Sequence, residues 1–251
     1  MKIINELCLK IGGKEKSVFF GIPETEEEAG EMFHLRYYVY NLKGYLNSNI
    51  DPDLLDRDEY DLEHKCYYLT AKIDERVIGT VRLIIDNFLP TERECFEIQE
   101  PTAMKKIPRG QRGEISRLIV IPYDKNNKQY LPRNIILLFL IKSVFTLCSD
   151  NNILGGYSFV TEKLYKKIQK LKIPVHILRN HKLVYSQEGL LYPYFHQKGN
   201  PIIPIFYMRD EIEQYINKIF NKKSLFARVK DNKYILKQNL YNQFLRLLKI
   251  I

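Results

Sequence analysis

Gly113-Glu-Ile-Ser-Arg-Leu-Ile-Val-Ile121 is the stretch on which the reading of the whole chain turns. Its second half, Leu118 to Ile121, is the continuous apolar run expected of a central strand in a mixed sheet, and Pro122 ends it. Its first half breaks that rule with Glu114, Ser116 and Arg117. Glu114 and Ser116 stand two apart, so a regular strand turns both to one face. Polar groups inside a sheet need partners or a purpose. The segment reads either as an edge strand with a solvated face or as one wall of a reaction cleft.

Upstream, residues 65–73 and 76–86 read as two strands joined by an Asp74-Glu75 turn. Arg82 is a charge inside the otherwise apolar Ile78-Gly-Thr-Val-Arg-Leu83; it faces solvent or helps to build a site. Residues 17–22 read as a further strand. Glu24-Thr-Glu-Glu-Glu-Ala-Gly-Glu then opens a helix, its acids at the positive end of the dipole. Residues 47–61 are a polar loop ending in Asp56-Arg-Asp-Glu-Tyr-Asp61, whose acids are either simply solvated or hold an amine or nearby arginines. Downstream, residues 88–113 read as irregular with a short helix, 132–150 and 162–171 as helices, and 152–160, 174–178 and 206–208 as strands.

The tail has two helical patterns, apolar on one face over 211–220 and basic and amphipathic over 233–251. The expected class is α/β (α+β), a mixed twisted central sheet with flanking helices. Residues 1–208 form the body and 209–251 a helical C-terminal extension.

With 251 residues and 45% hydrophobic content the chain can bury a sizeable core, which excludes disordered and disulfide-dense classes. The apolar run 135–147 is broken by Lys142 and is too short for a membrane span. The first residues lack the apolar core of a secretory signal, and a cytoplasmic location is expected. Cys8, Cys66, Cys95 and Cys148 are scattered, as are the histidines, so reduced buried thiols and no metal site are expected. The net charge of +9 is uneven: from Arg209 onward there are 10 basic and 4 acidic residues. Such a tail suits packing on the body, dimer contact, a membrane surface or nucleic acid.

Four segments, Arg36-Tyr-Tyr-Val-Tyr40, Asp58-Glu-Tyr-Asp61, Gly79-Thr-Val-Arg-Leu83 and Glu114-Ile-Ser-Arg-Leu118, occur in the order and rough spacing of a known family. The chain resembles the acyl-homoserine-lactone synthases (LuxI type). It is closer still to the N-acyl amino acid synthases (FeeM type) and to acyltransferases associated with exosortase systems. The resemblance covers roughly residues 19–208 and implies the GNAT acyltransferase fold, in which two parallel central strands splay to admit a pantetheine arm. It implies that Arg36, Asp58, Asp61, Arg82 and Arg117 form a charge network around the acceptor pocket, with Ser116 beside them and Glu114 as base. The lactone synthases carry a tryptophan where this chain has Leu46, and the chain has no tryptophan at all. That departure argues against S-adenosylmethionine as acceptor.

The reaction expected moves a fatty acyl group from a thioester to an amine. An α-amino group titrates near 8, so a carboxylate that takes its proton is required, and Glu114 is the candidate. Backbone N–H groups of Leu118, Ile119 and Val120 are candidates for stabilising the oxyanion. No covalent intermediate and no permanently bound cofactor is needed.

The segment after this strand, residues 122–133, has no glycine to cradle a pyrophosphate but carries Lys125, Lys128 and Arg133. That favours acyl carrier protein, with its single phosphate and acidic surface, over acyl-CoA as donor. The expected partners are therefore acyl carrier protein and a small amine, without nucleic acid. Three readings stay open beside this one: a lactone synthase, an acyl-CoA-dependent enzyme acting on another amine, and a basic nucleic-acid or lipid-surface binding module.

Overall fold

The protein is described from a computed structural model over residues 1–11, 13–47, 53–121, 123–124, 129–130, 132–220, 225–230 and 232–237. Strands β1 (Lys2–Ile11) and β2 (Lys14–Ile22) form a hairpin, followed by α1 (Glu26–Leu42), whose N-cap Thr25 accepts from the Glu28 N–H. A short helix α2 (Glu59–Leu62) precedes the hairpin β3 (Cys66–Ile73) and β4 (Arg76–Ile84). A single π turn (Thr91–Cys95), β5 (Phe96–Ile98), α3 (Thr102–Lys105) and a 3-10 turn lead into β6 (Arg112–Val120). Then come β7 (Tyr123–Asp124), β8 (Gln129–Tyr130), α4 (Arg133–Asp150), β9 (Gly155–Thr161), α5 (Glu162–Lys170), β10 (His176–Ile177), β11 (His181–Leu183) and α6 (Tyr192–Phe195). The chain continues through β12 (Ile202–Met208), α7 (Arg209–Phe220), β13 (Phe226–Lys230) and β14 (Lys233–Leu236).

Ten strands make one mixed sheet in the order β10-β12-β9-β6-β4-β3-β2-β1-β14-β13. The β6–β9 and β1–β14 pairs are parallel; the others are antiparallel. Helix α4 is apolar nearly all round because it is buried between sheet and helices: Ile135 to Leu140 are all at most 4% exposed. Its Phe139 sits among the rings of Phe20, Phe220, Phe226 and Tyr234. Helix α1 packs on the other face, over β4 and β6.

β6 and β9 pair only over Arg112–Glu114 and Gly155–Tyr157. Glycines permit this contact, since a Cβ on Gly156 would lie 1.6 Å from the Gly113 carbonyl oxygen. Beyond Glu114 the two strands diverge.

Two expectations change. The segment 233–251, read as a second helix, begins as strand β14, and residues 238–251 lie outside the described region. Phe226, Tyr234 and Leu236 are buried in the main core, so the hairpin β13–β14 continues the sheet beside β1, and α7 is the one described helix of the tail. The first residues, read only as basic, form β1, with Asn5, Leu7, Leu9 and Ile11 alternating into the core. All four cysteines are free; Cys95 and Cys148 are buried, Cys8 and Cys66 only partly so. Among the described residues no helix is long and apolar enough to cross a membrane, and no cluster of side chains could hold a metal.

Candidate active site

The acidic loop is shaped by its own sequence. Asp58 caps α2, accepting from the N–H groups of Tyr60 and Asp61, while Asp61 Oδ2 accepts from the Asp58 N–H at 3.0 Å. This capping box holds both carboxylates on one side of a four-residue helix. On β6 a bulge at Arg117, with φ of 51°, interrupts the pairing with β4. It turns Arg117 to the same face as Ser116, which stands opposite Arg82.

Those elements close a ring of six alternating charges. Arg36 Nε meets Asp56 at 3.1 Å, Arg117 Nε meets the same Asp56 oxygen at 2.8 Å, and Arg117 Nη2 reaches Asp58 at 3.2 Å. Arg82 Nη1 bridges Asp58 at 2.6 Å and Asp61 at 3.0 Å, and Arg36 Nη2 completes the circuit to Asp61 at 2.9 Å. Arg82 Nε donates to Ser116 Oγ, and Tyr68 donates to Asp61. Of the six ring members, all but Asp58 are buried. Burial opposes ionisation of Asp56, but Arg117 and Arg36 outweigh it and hold the carboxyl at about 2. Asp61 is held low in the same way by Arg36 and Arg82.

Asp56 is the ring member that the resemblance does not single out. Its only signal was membership of the acidic cluster, and its place between two arginines distant in sequence is a tertiary fact.

Glu114 behaves differently. It is 0% exposed, its Oε2 accepts from the Thr91 N–H at 2.8 Å, and Oε1 is buried without a hydrogen bond of good geometry. Burial pushes it up to about 8 against that hydrogen bond.

Where β6 and β9 part, a largely apolar cleft encloses about 810 Å³, open solvent included. Ser116, Arg117 and Tyr40 line one end; Ile141 and Phe145 of α4 and Ile212 of α7 line the other. Since α1 and α4 lie on opposite faces, the cleft runs through the sheet. Ser116 and Arg117 thus meet the cleft, whereas Glu114 lies behind them, outside its lining.

The Ile121 N–H donates to Ile78 O of the segment running into β4, so strand alternation directs the Ile119 N–H to β4 as well. Ile119 is therefore not an oxyanion donor, while the N–H groups of Leu118 and Val120 point to the side where β9 has diverged. Arg133, the exposed first residue of α4, donates to the Val120 carbonyl at 3.3 Å. Lys125 and Lys128 lie outside the described residues.

Comparison with known proteins bears on this arrangement. Residues 31–151 match the family model described as N-acyl amino acid synthase FeeM. Among curated proteins none matches the chain by sequence. The solved FeeM, an N-acyl amino acid synthase from uncultured soil microbes, is 15% identical with a TM-score of 0.56, over 80% of this chain and 94% of that one. The acyl-homoserine-lactone synthase LasI is 15% identical with a TM-score of 0.57, over 80% and 94%. TofI, solved with an inhibitor and MTA, is 12% identical with a TM-score of 0.52, over 80% and 96%. The match to that family model runs from within α1 to just past α4, and the chain shares its fold with both kinds of synthase, so this region is similar to the FeeM-type N-acyl amino acid synthases.

Proposed function

We propose that this protein transfers a fatty acyl group from acyl carrier protein to the amine of an amino acid, giving an N-acyl amino acid. The observation that carries this reading is the cleft through the sheet, apolar along most of its length and ending at the Arg117 side of the charge ring. The apolar length suits the acyl chain and the splay its pantetheine arm. The ring orients the acceptor through Arg117 and Ser116, with the partly exposed Asp58 as the acid nearest solvent.

Glu114, which lies behind the cleft lining, takes through an intervening water the proton that an ammonium must lose before attack. Amide formation joins N to the acyl carbon and breaks the C–S bond. The N–H groups of Leu118 and Val120 receive the oxyanion, and the departing thiolate takes the remaining amine proton. The glycine-free segment after β6, with Arg133 at the entrance to α4, favours the carrier protein as donor. CoA is the competing donor, and MesI, solved as a CoA-dependent acyl-homoserine-lactone synthase with a TM-score of 0.51, shows the fold in such an enzyme.

The test is mass spectrometry of solvent extracts from cells expressing the protein or its Glu114→Gln variant. New N-acyl amino acids in the first extract alone support the reading. Acyl-homoserine lactones would restore S-adenosylmethionine as acceptor, and identical extracts would overturn the proposal for amines present in that host. Purified protein supplied with acyl carrier protein or CoA thioester then separates the donors.

A further inference from the structure

An ammonium and a thioester give an amide, a thiol and one proton. If Glu114 receives that proton, it must pass it on, yet its side chain reaches no solvent. Glu114 Oε1, Thr91 Oγ1 and the Tyr60 hydroxyl are buried without a hydrogen bond of good geometry, yet the Thr91 side chain lies against Glu114 and the Tyr60 side chain against Glu94. Unpaired buried oxygens are costly and mark a place that does more than pack. Thr91 and Glu94 lie on one π turn, a geometry that is rare and frequent at functional sites. Glu94 is half-exposed. The Tyr60 ring lies under Arg93, whose guanidinium is 5.8 Å from its centroid, and its hydroxyl feels both Glu94 and Glu114.

We propose that Tyr60 and Glu94 form a proton outlet that connects the enclosed Glu114 carboxyl to solvent. The proposal rests on Glu114 acting as the base. The proton passes from Glu114 across the Thr91 and Tyr60 hydroxyls to the Glu94 carboxylate and from there to bulk buffer, and each group returns to its starting state.

The groups facing Glu114 are Tyr60 from α2, Arg82 from β4, Thr91, Glu94 and Cys95 from the π turn, and Tyr207 from β12. Those facing Glu94 are Glu59, Asp58 and Tyr60 from the α2 segment, with Arg93, Cys95, Glu114 and Tyr185. Burial first, then the like charges of Glu59 and Asp58, raise Glu94 from its ordinary value. Tyr60 and Glu94 act through Glu114 and touch neither substrate.

The experiment follows thiol release by the purified protein from dodecanoyl-pantetheine with a mixture of the standard amino acids, across a series of imidazole concentrations. Glu94→Gln and Tyr60→Phe should lower kcat about tenfold at low buffer. Imidazole should restore the rate, and Glu94→Asp should retain most of it. Unchanged kcat at low buffer, or a loss in folded protein that no imidazole concentration restores, overturns the outlet. Glu114→Gln run alongside separates the two layers. If it is inactive while Glu94→Gln is fully active, the outlet alone falls; if it is active, the base assignment falls and takes the outlet with it.

Discussion

The six-charge ring and the surroundings of Glu114 share strand β6 but treat their polar atoms in opposite ways. In the ring every carboxylate meets two arginines and every arginine two carboxylates, so three positive and three negative charges cancel out of water. Around Glu114 three buried oxygens lack a hydrogen bond of good geometry and the carboxyl holds its proton to about 8. A closed set of partners fixes geometry; an open set keeps proton affinity near neutrality, where it can be used. On the function proposed above, the first region is a frame and the second the reacting part.

The comparison is most sharply broken by two substitutions made side by side. Asp56→Ala strips one carboxylate from Arg36 and Arg117 and should cost about 3–5 kcal/mol, a large share of the roughly 5–15 kcal/mol of a typical domain; chemical denaturation reads it. Glu114→Gln keeps an acceptor for the Thr91 N–H and should leave stability near wild type, yet reduce turnover by roughly 10²–10⁴-fold. A Glu114→Gln protein as unstable as Asp56→Ala would erase the distinction.

The pH dependence sharpens it. Glu114 rises from its ordinary value near 4.3 to about 8, so in that window the folded protein binds more protons than the unfolded chain. Its contribution to stability is therefore fully present below the lower value and is lost as pH rises toward 8. Asp56, held at about 2, works the other way: its contribution is present above the ordinary value and is lost as pH falls toward 2. Melting temperatures of Glu114→Gln should decline less than those of wild type as pH rises from about 4.3 toward 8, and match them below that window. The smallest effect is expected at Ser116→Ala, which removes one acceptor from Arg82 and should cost about 1 kcal/mol, with the ring intact.

Much of this frame was legible beforehand. Glu114, Ser116 and Arg117 stand out because they interrupt an apolar strand, and Asp58 and Asp61 because they belong to the acidic cluster and match the motif of the resemblance. Arg82 stands out as a charge inside an apolar strand, Arg36 comes from the resemblance, and the structure brings both into the ring of ion pairs. The shared role of Asp56 did not show, since it depends on Arg36 and Arg117 meeting at one carboxylate. Ile119 was grouped with Leu118 and Val120 because a run of apolar residues does not reveal which N–H groups the neighbouring strand consumes. The tail from residue 233 carried a helix-like spacing of Leu236 and Leu240, but the preceding Phe226 and Tyr234 find the rings of Phe139 and Phe220, and pairing with β1 decides the local conformation.

The sequence by itself determined what one segment can settle alone: the alternation of strands and helices, the acidic first turn of α1, the polar break in β6 and the uneven charge. Tertiary structure decided the closure of the ring, the divergence of β6 and β9 beyond Glu114, the β-hairpin of the tail and the proton affinity of Glu114. The physical reason is range. Periodicity and capping act within a few residues. The energy of a buried charge is set by partners and water exclusion contributed from segments that only the fold brings together.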